Sequence, residues 1–172
     1  VQLRRGEVAA AYDNAKTAHA QVTGLRDSAS NMSGNGLVAY AAVLSGKCDE
    51  AEQQLEAALA RMQRFLPAAP SYQVIYSCVL LTSLELARKA SPSALSAGSP
   101  WDRRVRQALL RMVQFAYRFP IGWPQVFLGL GRYLDQQGQP RTALAALTAG
   151  LPISRRYRMR YDEGLLHMAL AS

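Results

Sequence analysis

The sequence predicts an all-α protein of about eight helices packed as antiparallel pairs, and three observations carry that prediction. Alanine, leucine and arginine dominate a chain of 172 residues that is 49% hydrophobic and 19% charged, while runs of valine, isoleucine and threonine are scarce. Apolar residues recur at helical spacing: Ala51, Leu55, Ala58, Leu59 and Met62 fall on one face. Short turns bearing glycine or proline separate the periodic stretches, and short turns favour antiparallel neighbours. At this length one substantial core is expected, so residues 1–172 read as a single region.

Taken in chain order, "RGEVAAAYDNAKTAHAQV" predicts a first helix over 5–22, followed by the small and polar loop "TGLRDSASNMSG". A second helix is expected near 31–45. The turn "SGKCDE" then leads into a strongly amphipathic third helix over 49–65, which Pro67 and Pro70 end. A long apolar helix covers 71–90. The stretch 91–100, "SPSALSAGSP", holds two prolines and four serines and is expected to be a mobile loop. A helix runs from Trp101 to Arg118 until "FPIGWP" breaks it. Two more are expected at 124–137 and 140–156, split by "QQGQPR", and a last one starts near Arg160.

Some of these turns repeat. A glycine is followed after five residues by alanine, after four more by a small or apolar residue, and after three more by alanine or glycine. The copies are Gly6, Ala11, Ala15, Ala18; Gly46, Ala51, Leu55, Ala58; and Gly138, Ala143, Leu147, Gly150. Glycine ends one helix where positive φ is needed, and small residues in the next let a neighbouring helix approach. In the last copy Phe127, Leu130, Gly131 and Leu134 precede the turn, the tetratricopeptide (TPR) pattern with its period of 34 residues. One period on lie Tyr161, Gly164, Leu165 and Met168, the phase of another first helix with its small and apolar inner positions exchanged. Asn35, Val38, Ala39 and Ala42 form a weaker copy without the aromatic and the glycine. The prediction is therefore a TPR-like antiparallel helix-pair solenoid. It would begin and end on half repeats, and Val1 in place of an initiator methionine agrees with a fragment of a larger protein.

The stretch from Phe119 to the end also resembles the C-terminal helical-repeat region of large multidomain class III nucleotide cyclases of the soluble adenylyl cyclase type. These carry a signal-transduction ATPase module. The shared phrases are Phe119-Pro120-Ile121-Gly122, the turn Gly138 to Ala143, and Tyr161-Asp162-Glu163-Gly164-Leu165 with His167. Arg160 stands where proline is usual in that family. The resemblance covers about fifty residues and implies a non-catalytic scaffold in cyclic-nucleotide signalling. It implies a cytoplasmic setting with a cytoskeletal or ciliary association. Related ATPase-type transcription regulators share such tails, which supplies the alternative of a nucleic-acid-binding repeat protein.

Charge sharpens the choice of partner. Residues 1–100 hold nine Lys/Arg against eight Asp/Glu, a net +1, whereas 101–172 hold eleven arginines against four acids, a net +7. Arg103, Arg104, Arg111, Arg155, Arg156, Arg158 and Arg160 are the candidate partner-binding residues, facing an acidic segment of a protein partner or of the same chain. The stretch "SRRYRMR" reads first as a joint between helices, since arginines suit a helix C-terminus, and nucleic acid is the lesser reading.

The sequence offers no constellation for catalysis. "LGLGRYLDQQGQ" lacks the Lys-Ser/Thr pair of a phosphate loop. His19 and His167 have no partner at metal spacing, Cys48 and Cys78 stand thirty residues apart, and Asp49–Glu50, Asp102 and Asp162–Glu163 sit where acids cap helix starts. Trp101 and Trp123 are expected as plugs at helix ends. No cofactor, metal or catalytic residue is predicted. No apolar run reaches the ~18–20 residues of a membrane span. The expected setting is intracellular.

Overall fold

The computed structural model describes residues 7–23, 28–64, 67–91 and 93–171. Within them the chain is all-helical: α1 (Val8–Thr23), α2 (Ser28–Leu44), α3 (Cys48–Arg64), α4 (Gln73–Ala90), α5 (Pro100–Arg118), α6 (Trp123–Gln136), α7 (Pro140–Arg156) and α8 (Arg160–Ala171). Single 3-10 turns at Pro70–Tyr72 and Pro120–Gly122 lead into α4 and α6. Helix α2 starts about three residues before the expected point, and Gly6 lies outside the described residues.

Three turns are built alike. At α2–α3 the Gly46 amide donates to Val43 O and that of Lys47 to Ala42 O; at α6–α7 the amides of Gly138 and Gln139 reach Asp135 O and Leu134 O. At α7–α8 the amides of Arg158 and Met159 reach Arg155 O and Ser154 O. The central residue has positive φ each time, 79° at Gly46, 72° at Gly138 and 54° at Arg158. Arg158 thus occupies a left-handed position that favours glycine, which the repeat pattern did not reveal because the residue type differs.

The helices pack as a row of pairs. Each contacts its chain neighbour, and the even-numbered helices also contact one another in succession, α2 with α4, α4 with α6 and α6 with α8. Helices α6 and α7 run antiparallel: a Cβ on Gly131 of α6 would lie 2.5 Å from Leu147 Cγ of α7, and one on Gly150 would lie 3.1 Å from Phe127 Cβ. Helix α4 sits in the middle, packed by α2, α3, α5 and α6, with twelve of its residues buried. Its largely apolar middle follows from that position, since four helices pack on it. The main core runs from Tyr12 through Leu55, Tyr76, Met112 and Phe115 to Tyr133, and a smaller cluster of Leu128, Leu147 and Leu166 joins α6, α7 and α8.

The break "FPIG" is shaped by packing. Gly122 is buried where a Cβ would come within 2.7 Å of Phe115 Cδ1. Trp123 packs edge-on to Tyr117 at 5.2 Å and against Phe127 at 6.0 Å, and Trp101 lies partly buried on the main core, as expected of plugs at helix ends.

The serine-rich connection before α5 makes a tight set of contacts. Leu95 is buried, Ser99 Oγ caps α5 by accepting from the Asp102 amide at 2.9 Å, and Gln137, just after α6, donates to Leu95 O at 3.1 Å. Asp102, only 2% exposed, knots the region together. Its carboxylate accepts from the Gly98 amide at 3.0 Å, from Arg106 Nε at 3.0 Å and from the Tyr133 hydroxyl. Burial pushes this carboxyl up, but those donors outweigh it and hold it below the ordinary aspartate range.

Candidate functional site

The row of even-numbered helices leaves a cleft of about 460 Å³, with α1 forming one wall and the start of α8 the other. Small residues of α1, Ala11, Ala15 and Ala18, keep that wall low. Helix α2 supplies Tyr40, and α4 supplies Val74, Cys78 and Leu81 at the i, i+4, i+7 spacing that puts them on one face. Val74 is 47% exposed and Tyr161, at the α8 wall, 41% exposed, so apolar surface is presented at the mouth. On the floor, Gln125 of α6 donates to the buried Asp162 carboxylate.

Two titratable groups of the cleft, the Tyr40 phenol and the Cys78 thiol, are held in neutral form. Burial, with the Cys78 thiol adding to it, pushes the Tyr40 phenol up to about 12. Burial alone pushes Cys78 itself to about 12. At neutral pH neither is an anion, so neither is an activated nucleophile. What the cleft offers is an apolar surface with a phenol and a thiol. Farther along the same helices a second hollow of about 440 Å³ is lined by Glu85 and Arg88 of α4, Arg132 and Asp135 of α6, and Leu170 of α8. The row therefore passes from an apolar end to one bearing both signs of charge.

The seven arginines singled out in the sequence fall into two groups on separate elements. Arg103, Arg104 and Arg111 belong to α5, and none of them lines the cleft. Arg104 binds Glu52 and Glu56 of α3 and lies 4.8 Å from the Trp101 ring, a bridge between two odd-numbered helices. Arg111 donates to Gln114 at 2.9 Å, and Arg103 is exposed. Arg155, Arg156, Arg158 and Arg160 surround the α7–α8 turn, all exposed. Arg155 pairs with Glu163 at 2.6 Å across that turn. The joint reading of "SRRYRMR" thus describes Arg155 well. Arg158 and Arg160 flank Met159 and precede Tyr161, both of which line the cleft, but none of the four arginines lines it.

His167 lies 3.8 Å from Glu163 and is 53% exposed. Among the described residues no group of three or more His, Cys, Asp or Glu is arranged to hold a metal ion, and no helix is long and apolar enough to cross a membrane. The cleft was missed in the sequence because its lining comes from five helices far apart in the chain. The visible signal was the run of alanines in α1, which reads equally well as a helix-packing seam. Comparison with protein-family models, with curated proteins and with solved structures finds no match to this chain.

Proposed function

We propose that this chain is a non-catalytic, TPR-like interaction module that holds a segment of a protein partner. The observation that supports this most is the apolar cleft along the even-numbered helices, with exposed Val74 and Tyr161 at its mouth and the exposed arginines of 155–160 beside Met159 and Tyr161 in the chain. A segment with one or two large apolar side chains would seat on Val74, Leu81 and Tyr40. Acidic flanks would meet Arg156, Arg158 and Arg160. The test is a peptide-display selection on the wild-type chain, counter-selected on Val74→Glu. Acid-flanked apolar motifs that lose binding on Val74→Glu are expected. Enrichment of peptides indifferent to that substitution would contradict the reading.

The likeness of residues 119–168 to soluble-type nucleotide cyclases supports the further proposal that the module belongs to such an enzyme. An antibody to residues 124–172 should then capture a polypeptide far larger than 18.8 kDa that makes cyclic nucleotide. Capture of a small inactive chain would sink that parentage.

Nucleic acid is the second reading, favoured by one observation: Tyr157 and Tyr161 are 40% and 41% exposed among the arginines of 155–160. Binding of that kind weakens steeply with salt, by roughly 0.7–0.9 in log–log slope per phosphate contacted. A peptide seated on apolar surface tolerates salt.

A further inference from the structure

Helix α1, one wall of the cleft, is held only lightly by the core: Ala11 and Tyr12 are its buried residues. Much of its grip on α2 and α3 is a polar seam, with Tyr12, Lys16 and His19 spaced i, i+4, i+7 along α1. At one end the Glu50 carboxylate of α3 accepts from the Tyr12 hydroxyl and pairs with Lys16 at 3.2 Å. At the other end half-buried His19 lies so close to α2 that a Cβ on Gly34 would overlap its ring. Its Nε2 stands 3.3 Å from Asn35 Nδ2, which also donates to Gln54 Oε1 of α3 at 2.6 Å.

This second end suits only a neutral His19. An amide NH2 faces Nε2, so that nitrogen accepts, and an added proton would set donor against donor. Turning the Asn35 amide over would set its Oδ1 against Gln54 Oε1, acceptor against acceptor. His19 Nδ1 and Asn35 Oδ1 are already buried without a hydrogen-bond partner, so the cluster has no slack. The charges around the ring are cations: Lys16 one turn back on α1 and Arg61 on α3. Helix α2 offers Gly34 and Asn35, neither charged. Among the described residues the carboxylate bonded along this seam is Glu50, which Tyr12 and Lys16 occupy. Burial first, and then Arg61, hold the imidazole below the ordinary histidine range. We propose that His19, Asn35 and Gln54 form a proton-operated latch: neutral His19 keeps the end of α1 docked on α2 and α3, and protonation releases it. Release takes away the wall built by Ala11, Ala15 and Ala18 and weakens the hold on a partner segment. Because the folded-state value lies below the ordinary one, the latch is fully closed above about pH 6.5 and opens as pH falls through the folded value. The consequence for binding rests on the interaction reading above; the release of α1 does not.

NMR of the isotope-labelled wild-type chain from about pH 7.5 to about pH 5 tests it, beside His19→Gln, which cannot charge in that range. Amides of residues 15–23 are expected to move with the midpoint at which the His19 ring titrates, and to stay put in His19→Gln. Affinity for a selected peptide should fall severalfold over the same range in wild type and stay level in the variant. Should His19→Gln misfold, Asn35→Asp serves, since a carboxylate against Nε2 is expected to hold the charged ring and move the release of α1 to a different pH. A release unchanged by that substitution overturns the latch. So does an acid response of α1 that persists in His19→Gln, or an α1 that stays docked after the ring has charged. An affinity that holds while α1 is released overturns its control of the cleft. If α1 is released as expected and no selected peptide binds at any pH, the interaction reading fails and the latch stands.

Discussion

Two helix glycines, Gly131 in α6 and Gly164 in α8, should respond in opposite directions to alanine. Alanine is favoured over glycine inside a helix by about 1 kcal/mol. At Gly164 nothing lies within 4 Å of the added methyl, so the full gain is available. At Gly131 the methyl would stand 2.5 Å from Leu147 Cγ and 2.6 Å from its Cδ2, roughly 1 Å inside ordinary contact. The clash involves the branch carbon, so Leu147, only 5% exposed, must move as a whole against Leu128 and Leu166. Overpacking of this kind costs about 1–3 kcal/mol, which outweighs the helix gain and leaves a net loss of about 1 kcal/mol. The two variants should therefore differ by about 2 kcal/mol, or roughly 4–8 °C in Tm for a chain of this size. Urea unfolding followed by circular dichroism at fixed m value measures it. If Gly164→Ala destabilises as much as Gly131→Ala, the open space around Gly164 is refuted.

Other residues yield further predictions. Asp102→Asn should lower stability by roughly 2 kcal/mol at neutral pH, since hydrogen bonds to charged groups contribute about 1.5–3 kcal/mol. Because the folded-state carboxyl lies below its ordinary value, its contribution is complete above about pH 4 and fades as pH falls through the folded pKa. Acid titration of wild type and variant should therefore converge at low pH. Arg158→Gly relieves left-handed strain of about 1 kcal/mol and gives back part of it to chain entropy, for a net gain of about 0.5 kcal/mol in the same urea assay. Cys48 is half-buried and should react with a thiol reagent in the native state, whereas Cys78, buried and pushed to about 12, should react only on unfolding, as counted by mass spectrometry.

Much of the architecture was legible in the sequence because its signals are local. The face of α3 is written in Ala51, Leu55, Ala58, Leu59 and Met62, all buried, and the turn glycines at 46 and 138 have the positive φ their spacing implied. Asp102 was legible as a helix-start acid. Its further bonds to Tyr133 and the Gly98 amide were not, because they join residues that only the fold brings together. The even-numbered row was hidden for a similar reason. Helix α4 at its centre buries twelve consecutive or nearly consecutive residues, from Ile75 to Ala87, so its apolar residues mark no single face. The arginines show the limit of charge counting, since Arg104 and Arg155 are engaged by Glu52, Glu56 and Glu163, acids whose positions in sequence gave no sign of it.

The central claim is that the cleft of α1, α2, α4 and α8 holds a partner segment. Titrating a selected peptide into isotope-labelled protein, and following amide shifts, tests it most directly. The account predicts shifts centred on Tyr40, Val74, Cys78 and Leu81, with smaller ones at Arg156–Arg160, and none of either in Val74→Glu. Shifts confined to the arginine turn, or spread along α5 around Arg103 and Arg111, would contradict it.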